Sequence, residues 1–552
     1  MPPPPSDGHI PFDDSNASVY RVLGPPGTGK TTYLVDQAER AAEKYGCDNV
    51  RVVSMTQTAS KAFSKKNSII PAENVSTLHA LAYRAIGRPG VFGKEEIERW
   101  NSENPGYVLS GVFDPVDGQV TKTFGDALLL DVEMARAKRT KLGYAVARDF
   151  SDLYERFKSE IGKVDFTGML EQALEEATFA PGKPEVLLVD EAQDLSTLEL
   201  ELVEKWASRC KALVLCGDAD QSLYSWRGAD PRVLLVDGKE PFNIRKQSYR
   251  VPRIVQQKAY EIIQRSNTWS RAEYAPKREN GNEGPVVEGE LSWIPSYFDT
   301  PNVIINDVEV EVVDNPLAED AMVLAQCGYM LAPIAAELRS RGIGYFNPYR
   351  HEWNPLARGG SKKVTGADKV LAFSRLSTPK DWKTALTCLS SKGSDGPLLH
   401  GAKSKLELLA DDASMADIVA LLPKVLMEGA YELFDHGGSG KEAPKEAMSK
   451  FYAACTQAAK ESMNFAQCVY QRSGAKGVEF PKVILGTIHS TKGGEAEHVY
   501  MSTELSPQSR KQKDANGWNG ADSIWRTFYV GATRAKHRLV ICGDSSTRGA
   551  GI

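Results

Sequence analysis

An apolar run, a glycine-rich turn and an amphipathic segment follow one another near the start of the chain. Residues 19–23 (Val-Tyr-Arg-Val-Leu) predict a short strand, and apolar residues recur at helical spacing from Leu34 to Tyr45. Gly46 stands where glycine commonly ends a helix. Between strand and helix, residues 24–31 read Gly-Pro-Pro-Gly-Thr-Gly-Lys-Thr. In this context the pattern G-x-x-x-x-G-K-T predicts a phosphate-binding loop.

Two later apolar runs also predict buried strands, and polar residues follow each of them. The run 185–189 ends in Asp190-Glu191-Ala-Gln-Asp194, and the run 212–216 leads into a polar segment over 217–230. Because the carboxyl ends of parallel strands meet at one edge of an α/β sheet, such side chains lie where phosphates and Mg²⁺ bind. The alternative for the acidic residues is a helix N-terminus, which also favours carboxylates.

The phosphate-binding loop suggests a role for each of these polar groups. We expect Lys30 to reach the β- and γ-phosphates, and Thr31 and Asp190 to bind Mg²⁺. Glu191 is the candidate for polarising the attacking water, and Gln221 can sense the γ-phosphate. The predicted nucleotide contacts within the loop are Gly24, Gly27, Thr28, Gly29, Lys30, Thr31 and Thr32.

The polar segment that follows the second run also carries two aromatic residues. Tyr224 and Trp226 offer flat faces on which bases can stack, at about 1–3 kcal/mol for each stacked base. From composition alone, both rings fit a protein core equally well. The segment therefore joins a phosphate sensor either to a base-stacking platform or to core residues.

Composition narrows the class of protein. The 552 residues are 41% hydrophobic and 25% charged, as in globular proteins of several domains. No apolar run approaches the ~18 residues that span a bilayer, so we expect no membrane helix. The 8 cysteines include no C-x-x-C pair, which argues against a zinc or iron–sulfur site and favours a cytoplasmic location. The net charge of −5 neither supports nor excludes binding of nucleic acid, because a binding channel needs only local positive charge.

These motifs together resemble those of the UvrD/Rep/PcrA-like helicases, the 3′→5′ branch of superfamily 1. The similar segments occur along the chain in the order that the family has. They are Thr77–Ala80, Val164–Leu170, Asp190–Asp194, Gly217–Asp230, Gln247–Arg250, Ala321–Gln326 with Arg341–Tyr345, Thr487–Glu495 and Tyr529–Ala535.

The resemblance implies further site residues. Tyr249 would stack on adenine, Arg250 would reach the γ-phosphate and Glu495 would meet the ribose. Arg534 would act as a second arginine finger. The positions implied to contact DNA are Thr56, His79, Tyr224, Trp226, Arg227 and His489.

The family's fold is α/β, with two RecA-like parallel-sheet motor domains and mainly helical insertions. The resemblance places the ATP-binding motor domain 1A at 17–95 and 164–237, with insertion 1B at 96–163. Motor domain 2A would comprise 238–365 and 480–552, with insertion 2B at 366–479. In this last insertion Met415, Ile418, Val419, Leu422 and Val425 recur at helical spacing.

The implied function is that of an ATP-dependent 3′→5′ DNA helicase that uses ATP and Mg²⁺. It would translocate on single-stranded DNA and unwind duplex at single-strand/double-strand junctions, by coupling hydrolysis to closure of the two lobes. One alternative is a single-strand translocase that displaces bound proteins and unwinds poorly. Others are an oligomeric AAA+ remodeller of proteins, a DNA-binding module without turnover, and a motor on RNA. Protein partners stay unknown.

The chain departs from the family's pattern at several positions. Residues 1–20 contain no glutamine to read adenine, which makes the preference for ATP less secure. Thr56-Gln-Thr-Ala59 replaces the family's T-F-T-N and lacks its aromatic residue. Gly494 and Ala496 stand where bulkier residues are common, so coupling between the lobes could be weaker.

Overall fold

The computed structural model describes most of the chain. The described residues are 9–12, 18–54, 69–111, 123–234, 243–281, 284–294, 302–305, 308–311, 320–348, 354–359, 363–391, 396–410, 412–437, 441–516, 521–543, 550 and 552.

The strands are numbered in chain order. They are β1 (Ser18–Leu23), β2 (Val50–Ser54), β3 (Val75–Thr77), β4 (Gly90–Val91), β5 (Lys163–Val164), β6 (Val186–Asp190), β7 (Ala212–Gly217), β8 (Asn243–Ile244), β9 (Glu290–Ile294), β10 (Asn302–Ile305), β11 (Val308–Glu311), β12 (Ala321–Ala325), β13 (Tyr345–Phe346), β14 (Val483–Thr487), β15 (Ala496–Ser502) and β16 (Ala535–Cys542).

The α-helices are numbered in the same way. They are α1 (Lys30–Tyr45), α2 (Leu78–Ala85), α3 (Lys94–Glu103), α4 (Phe124–Ala137), α5 (Ala145–Ile161), α6 (Phe166–Glu176), α7 (Thr197–Ala207), α8 (Arg253–Ile263), α9 (Gly328–Ser340), α10 (Gly366–Arg375), α11 (Pro379–Cys388), α12 (Ala402–Glu407), α13 (Met415–Val425), α14 (Lys445–Ala454), α15 (Gln457–Glu479), α16 (Pro507–Asn516) and α17 (Asp522–Ala532).

The chain divides into two compact units. The first comprises Met1–Trp293, Lys492–Glu495 and Met501–Ile552, and the second comprises Ile294–Thr491 and Ala496–Tyr500. The two larger sheets each have six strands, in the orders β3-β2-β6-β7-β1-β8 and β13-β14-β12-β15-β16-β9. The predicted α/β class with two parallel-sheet motor domains is confirmed. The predicted boundaries of the motor domains and insertions stay a prediction.

The first sheet is parallel throughout. Alternate residues of β6 pack on opposite faces: Val186 and Leu188 lie against α1, whereas Leu187 and Val189 lie against α2, α6 and α7. A parallel strand covered on both faces reads as an unbroken apolar run, which is why the sequence predicted it. The carboxyl ends of β1, β6 and β7 therefore share one edge of this sheet.

Helices α3, α4 and α5 form a separate apolar cluster within the first unit. Trp100 is fully buried and packs edge-on against Phe150, Tyr154 and Phe157, with ring centroids 5.3–5.7 Å apart. Its indole nitrogen donates to the carbonyl of Tyr107 over 2.7 Å. Because edge-to-face rings and a satisfied N–H both favour a fixed tryptophan, this cluster gives the helical segment a defined core.

The second unit combines parallel strands with a helical cluster. Strand β12 pairs in parallel with β14, and β14 pairs in parallel with β13. The helical cluster, built from α10 to α15, centres on Phe373 and Phe451, whose rings stack at 3.9 Å. On α13, Ile418 and Val425 are buried, but Val419 is exposed, unlike its predicted place on the apolar face. Within the described ranges, no helix is both long and apolar enough to cross a membrane.

Candidate active site

The loop after β1 is folded tightly on itself. Gly27 and Gly29 have φ of 72° and 77°, a left-handed conformation that glycine adopts without steric cost. Lys30 Nζ donates to the carbonyl of Gly24 over 2.5 Å. A Cβ at residue 24 would lie 2.1 Å from Lys30 Cγ, so only glycine leaves room for this lysine. The loop thus holds an ammonium group at the first turn of α1, where helix N-termini favour phosphate.

Asp190 ends β6 directly beside this loop. Its side chain is buried, with the residue only 3% exposed, and its Oδ2 lies 3.4 Å from Thr31 Oγ1. Burial, followed by the charge of Glu191, raises the pKa of Asp190 to about 7. A cation placed beside such a buried carboxyl group would favour its ionised form and lower its pKa.

Glu191 has an unusual backbone conformation. Its φ is 56°, which is uncommon for a residue with a side chain and often marks functional sites. Gln193 Nε2 donates to Glu191 Oε2 over 2.5 Å and thereby fixes the carboxylate. Burial raises the pKa of Glu191, but the charges of Lys492 and Lys30 outweigh it, so the pKa is lowered overall. This carboxylate is therefore ionised at neutral pH and able to accept a proton.

The predicted metal ligands fit Mg²⁺. A threonine hydroxyl and an aspartate carboxylate are hard oxygen donors, and Mg²⁺ in nucleotide sites commonly uses one or two carboxylates together with phosphate oxygens and water. The described ranges hold no cluster of three or more His, Cys, Asp or Glu side chains suited to a metal ion. The donors at Thr31 and Asp190 thus match a metal that arrives with a nucleotide.

Arg534 is held at the same site from the other end of the chain. It is 2% exposed, and its Nη2 donates to Gln221 Oε1 over 2.9 Å. Gln221 in turn donates through Nε2 to Asp218 Oδ2 over 2.6 Å. The predicted arginine finger and the predicted phosphate sensor are therefore hydrogen-bonded partners within the first unit.

The segment 247–250 lies against the phosphate-binding loop. The N–H of Tyr249 donates to the carbonyl of Gly27 over 2.8 Å, and Ser248 Oγ donates to the carbonyl of Pro26 over the same distance. The tyrosine is 46% exposed and its ring faces Gly29. Arg250 Nε pairs with Glu495 Oε2 at 2.6 Å. The predicted adenine, γ-phosphate and ribose contacts thus cluster around one loop.

Lys492 lies at this site, although the sequence motifs assigned it no role. Its ammonium group pairs with Asp194, 298 residues earlier in the chain, and donates to the carbonyl of Gln221 over 3.0 Å. It also lies 5.3 Å from the centroid of the Tyr224 ring. Burial raises the pKa of Asp194 to about 6, although Lys492 opposes the rise. The only sequence signal was a lysine inside the segment 487–495.

Three of the positions implied to contact DNA line one pocket in the first unit. His79, Trp226 and Arg227 border a cavity of about 510 Å³. Tyr224 contacts Trp226 edge-on, with centroids 6.1 Å apart, and both residues are half-buried. Neither ring is enclosed as a core residue would be, and their role as a base platform stays a prediction.

Two of the implied positions remain. Thr56 falls outside the described residues. His489 belongs to the second unit, directly after β14, and is half-buried.

Comparison with known proteins adds two family matches. Residues 10–227 match an AAA domain, and residues 444–546 match the UvrD-like helicase C-terminal domain. The first match includes Lys30, Asp190 and Glu191, and the second includes Arg534. Both matches support the resemblance to the UvrD/Rep/PcrA-like helicases of superfamily 1. The resemblance stated from the sequence motifs is therefore confirmed.

Curated proteins that are similar to this chain match it in part. It is 26% identical over 336 residues to the ATP-dependent DNA helicase PcrA of Leuconostoc citreum, which is 52% of this chain and 42% of the relative. The PcrA of Bacillus subtilis is 25% identical over 320 residues, covering 50% and 43%. The ATP-dependent DNA helicase Rep of Buchnera aphidicola is 32% identical over 108 residues, covering 19% and 16%. Each match thus spans less than half of the relative's length.

Proposed function

We propose that this protein is an ATP-dependent DNA helicase that moves 3′→5′ along single-stranded DNA and unwinds duplex ahead of it. The observation that carries the proposal is that residues from separate motifs lie close together at one edge of the first sheet. Asp190 and Glu191 face the phosphate-binding loop, while Arg534 reaches the same site through Gln221. The names of the similar proteins, ATP-dependent DNA helicases, agree with this geometry.

Hydrolysis would follow from the charges at the site. Lys30, Arg250 and Arg534 would neutralise the triphosphate, and Thr31 and Asp190 would hold Mg²⁺, which would supply further positive charge. Water attacks the γ-phosphorus as the bond to the bridging oxygen of ADP breaks. Glu191 accepts the proton of that water, so the products are ADP and inorganic phosphate.

A physical path joins this chemistry to the proposed track. Gln221 and Tyr224 lie in one segment after β7, and Lys492 contacts both of them as well as Asp194. A change in charge at the nucleotide therefore acts on the residues that carry the base-stacking ring. We propose that this contact set couples hydrolysis to movement on DNA. A cytoplasmic location is part of the same proposal.

The test compares hydrolysis and strand separation on duplexes with a 3′ tail, a 5′ tail or no tail. The expected result is DNA-stimulated hydrolysis, with unwinding only from the 3′ tail. Stimulated hydrolysis without unwinding would support the translocase that displaces proteins instead. Hydrolysis that no nucleic acid stimulates would contradict both.

Glu191→Gln isolates the chemical step. The variant should bind ATP but hydrolyse it at least about 100-fold more slowly, because a general base commonly contributes 10²–10⁴ in rate. Glu201→Gln, on α7 and outside the site, is the matched control. Normal turnover by Glu191→Gln would remove the proposed role of this carboxylate.

A further inference from the structure

The ring of Tyr249 offers a nucleotide base a stacking surface but no means of selecting it. A Cβ at Gly29 would lie 3.8 Å from Cε2 of this ring, so the ring lies beside the residue that directly precedes α1. Because every base has a flat face, stacking on an aromatic side chain tolerates all of them. Selection of one base therefore requires a polar group at the edge of the stacked base.

The exposed side of α1 carries such a group. Asp36 follows Gly29 by about two helical turns, or about 10.5 Å along the axis, so the two residues lie on nearly the same side of the helix. Side chains of a helix tilt toward its N-terminus, so the carboxylate of Asp36 points back toward Tyr249. Thr32 lies one turn before Asp36 and is exposed. A base that stacks on Tyr249 can therefore extend along this surface toward Asp36.

A buried amide group fixes the carboxylate of Asp36. Gln37 is fully buried, and its Nε2 donates to Asp36 Oδ2 over 2.8 Å while its Oε1 accepts from the N–H of Ile10 over 2.9 Å. His9 Nδ1 lies 3.2 Å from the same carboxylate oxygen. The side chain of Asp36 nevertheless stays 50% exposed, so a ligand can reach it. A group that is already oriented loses less conformational freedom when it binds a ligand.

The segment before β1 is anchored on α1 without this carboxylate. Ile10 and Phe12 are both buried, and the carbonyl of Phe12 accepts from the hydroxyl of Tyr45 over 3.0 Å. Burial of these two side chains and the hydrogen bond to Tyr45 hold the segment in place. The hydrogen bond from Gln37 to Asp36 therefore serves to orient the carboxylate.

We infer that Asp36 reads the base of the bound nucleotide by accepting a hydrogen bond from its exocyclic amino group. The inference rests on the proposed function, which places a triphosphate at the phosphate-binding loop and its base on Tyr249. Asp36 is then a specificity-determining residue, and Gln37 is the positioning residue behind it. The ligands selected are nucleotides whose base carries an amino group at this edge, as adenine does.

The comparison of adenine with hypoxanthine isolates this contact. Both are purines with the same stacking face, but adenine carries a donating amino group at position 6, where hypoxanthine carries a carbonyl oxygen. An ionised carboxylate can only accept hydrogen bonds, so it binds the amino group and repels the carbonyl oxygen. Asp36 therefore favours adenine nucleotides, although the contact with Tyr249 is the same for both.

The test is equilibrium binding of ADP and of inosine diphosphate (IDP) with Mg²⁺, measured by titration calorimetry at one salt concentration. The protein does not hydrolyse its product ADP, so this measurement reports binding apart from turnover. The wild-type protein should bind ADP about tenfold more tightly than IDP, in line with one hydrogen bond to a charged group.

Asp36→Asn should abolish or reverse this preference. Gln37 can still donate to the amide oxygen of the new side chain, whose amide nitrogen then donates to the carbonyl of hypoxanthine. Glu43→Gln is the matched control, because it removes one negative charge from an exposed position of the same helix and should keep the wild-type preference.

Gln37→Met tests the positioning role, since it removes the buried donor and leaves Asp36 in place. The ratio of the two Kd values should fall toward one. A purely structural role of Gln37 would lower the free energy of unfolding and leave this ratio unchanged, which would contradict the positioning role.

Equal Kd values of the wild-type protein for ADP and IDP, or an unchanged preference in Asp36→Asn, would overturn the inference. The proposed motor stands in that case if single-stranded DNA still stimulates ATP hydrolysis. A wild-type protein that binds neither diphosphate and hydrolyses no ATP would overturn the proposed function as well.

Discussion

The proposed nucleotide site and the pocket beside Trp226 belong to the same unit. The first is formed by charged and polar side chains, and the second mainly by apolar ones. At the nucleotide site, cations meet polar partners from distant parts of the sequence, as in Lys492 with Asp194 and Arg534 with Gln221. The pocket has apolar walls and only two buried polar atoms without a hydrogen bond in the described chain, at Glu199 and Trp226.

This difference indicates what each region can recognise. A triphosphate is bound through charge, so removing one cation from the nucleotide site should abolish chemistry or stability. The apolar walls of the pocket offer contact surface in place of charge, so changing one polar side chain there should have a smaller effect. The predictions below concern residues at and beside the nucleotide site.

The largest expected effect is that of Arg534→Ala. Hydrolysis should fall by about 10³-fold or more, because arginine fingers commonly contribute 10³–10⁵ in rate. Steady-state ATP hydrolysis with saturating single-stranded DNA measures it. Arg538→Ala is the control, since Arg538 contacts Ser292 Oγ at 2.9 Å and lies outside the site. A loss of less than about tenfold in Arg534→Ala would contradict a direct role in the reaction.

Lys492→Met should destabilise the fold. It leaves the carboxylate of Asp194 buried without its cation, and breaking a buried pair in this way costs about 3–5 kcal/mol. The free energy of unfolding, measured in urea, should fall accordingly.

The double variant Lys492→Met/Asp194→Leu sharpens this test. Replacing both charges by apolar side chains should restore most of the stability, yet DNA-stimulated hydrolysis should stay low because the contact with Gln221 is gone. If the single and the double variant are both as stable as the wild-type protein, the pair of Lys492 and Asp194 does not contribute to stability as proposed.

Tyr249→Ala should act on affinity alone. The exposed ring faces Gly29, and losing a stacking contact of about 1–3 kcal/mol should raise the KM for ATP by about 5- to 150-fold. The kcat should change little, and Tyr249→Phe should behave as the wild-type protein. A fall in kcat with an unchanged KM would contradict the predicted contact with the base.

The smallest expected effect concerns Asp220, whose carboxylate accepts from Ser270 N at 2.9 Å and from Ser270 Oγ at 2.6 Å. Burial, followed by the charge of Asp218, raises the pKa of Asp220 from 3.8 to about 7. The folded state therefore binds more protons than the unfolded state between these values, and stability falls as the pH rises through this window.

Asp220→Asn should reduce that loss of stability. One unit of pKa shift corresponds to about 1.4 kcal/mol, so a change of this order is expected. Urea unfolding at about pH 5 and about pH 7.5 measures it, with the exposed Asp152→Asn as control. An identical pH dependence in Asp220→Asn and the wild-type protein would show that this carboxyl group is not the source.

The sequence predicted the strands and the loop of the first sheet well for a physical reason. Strands β6 and β7 are buried on both faces, so their apolar runs are unbroken, and the loop after β1 needs glycine at fixed positions. The sequence pattern predicts the structure correctly wherever a local requirement, such as burial on both faces or a tight turn, restricts the residue type.

Other features depend on contacts that no local pattern encodes. The pairs Lys492–Asp194 and Arg250–Glu495 join residues hundreds of positions apart. The pocket collects side chains from several helices, and its unsatisfied atoms are defined only by what surrounds them. Val419 is a local example of a position that the apolar pattern predicted wrongly. It follows Ile418 by one residue, about 100° around the helix, and so turns away from the buried face.

The most direct test of the central claim is displacement of streptavidin from a biotinylated single-stranded oligonucleotide in the presence of ATP. A motor that moves 3′→5′ should displace streptavidin from the 5′ end and leave it at the 3′ end, and Glu191→Gln should displace it from neither. This measurement needs no duplex, so it tests the motor apart from unwinding. Displacement from the 3′ end alone, or from neither end by a protein that hydrolyses ATP, would contradict the account.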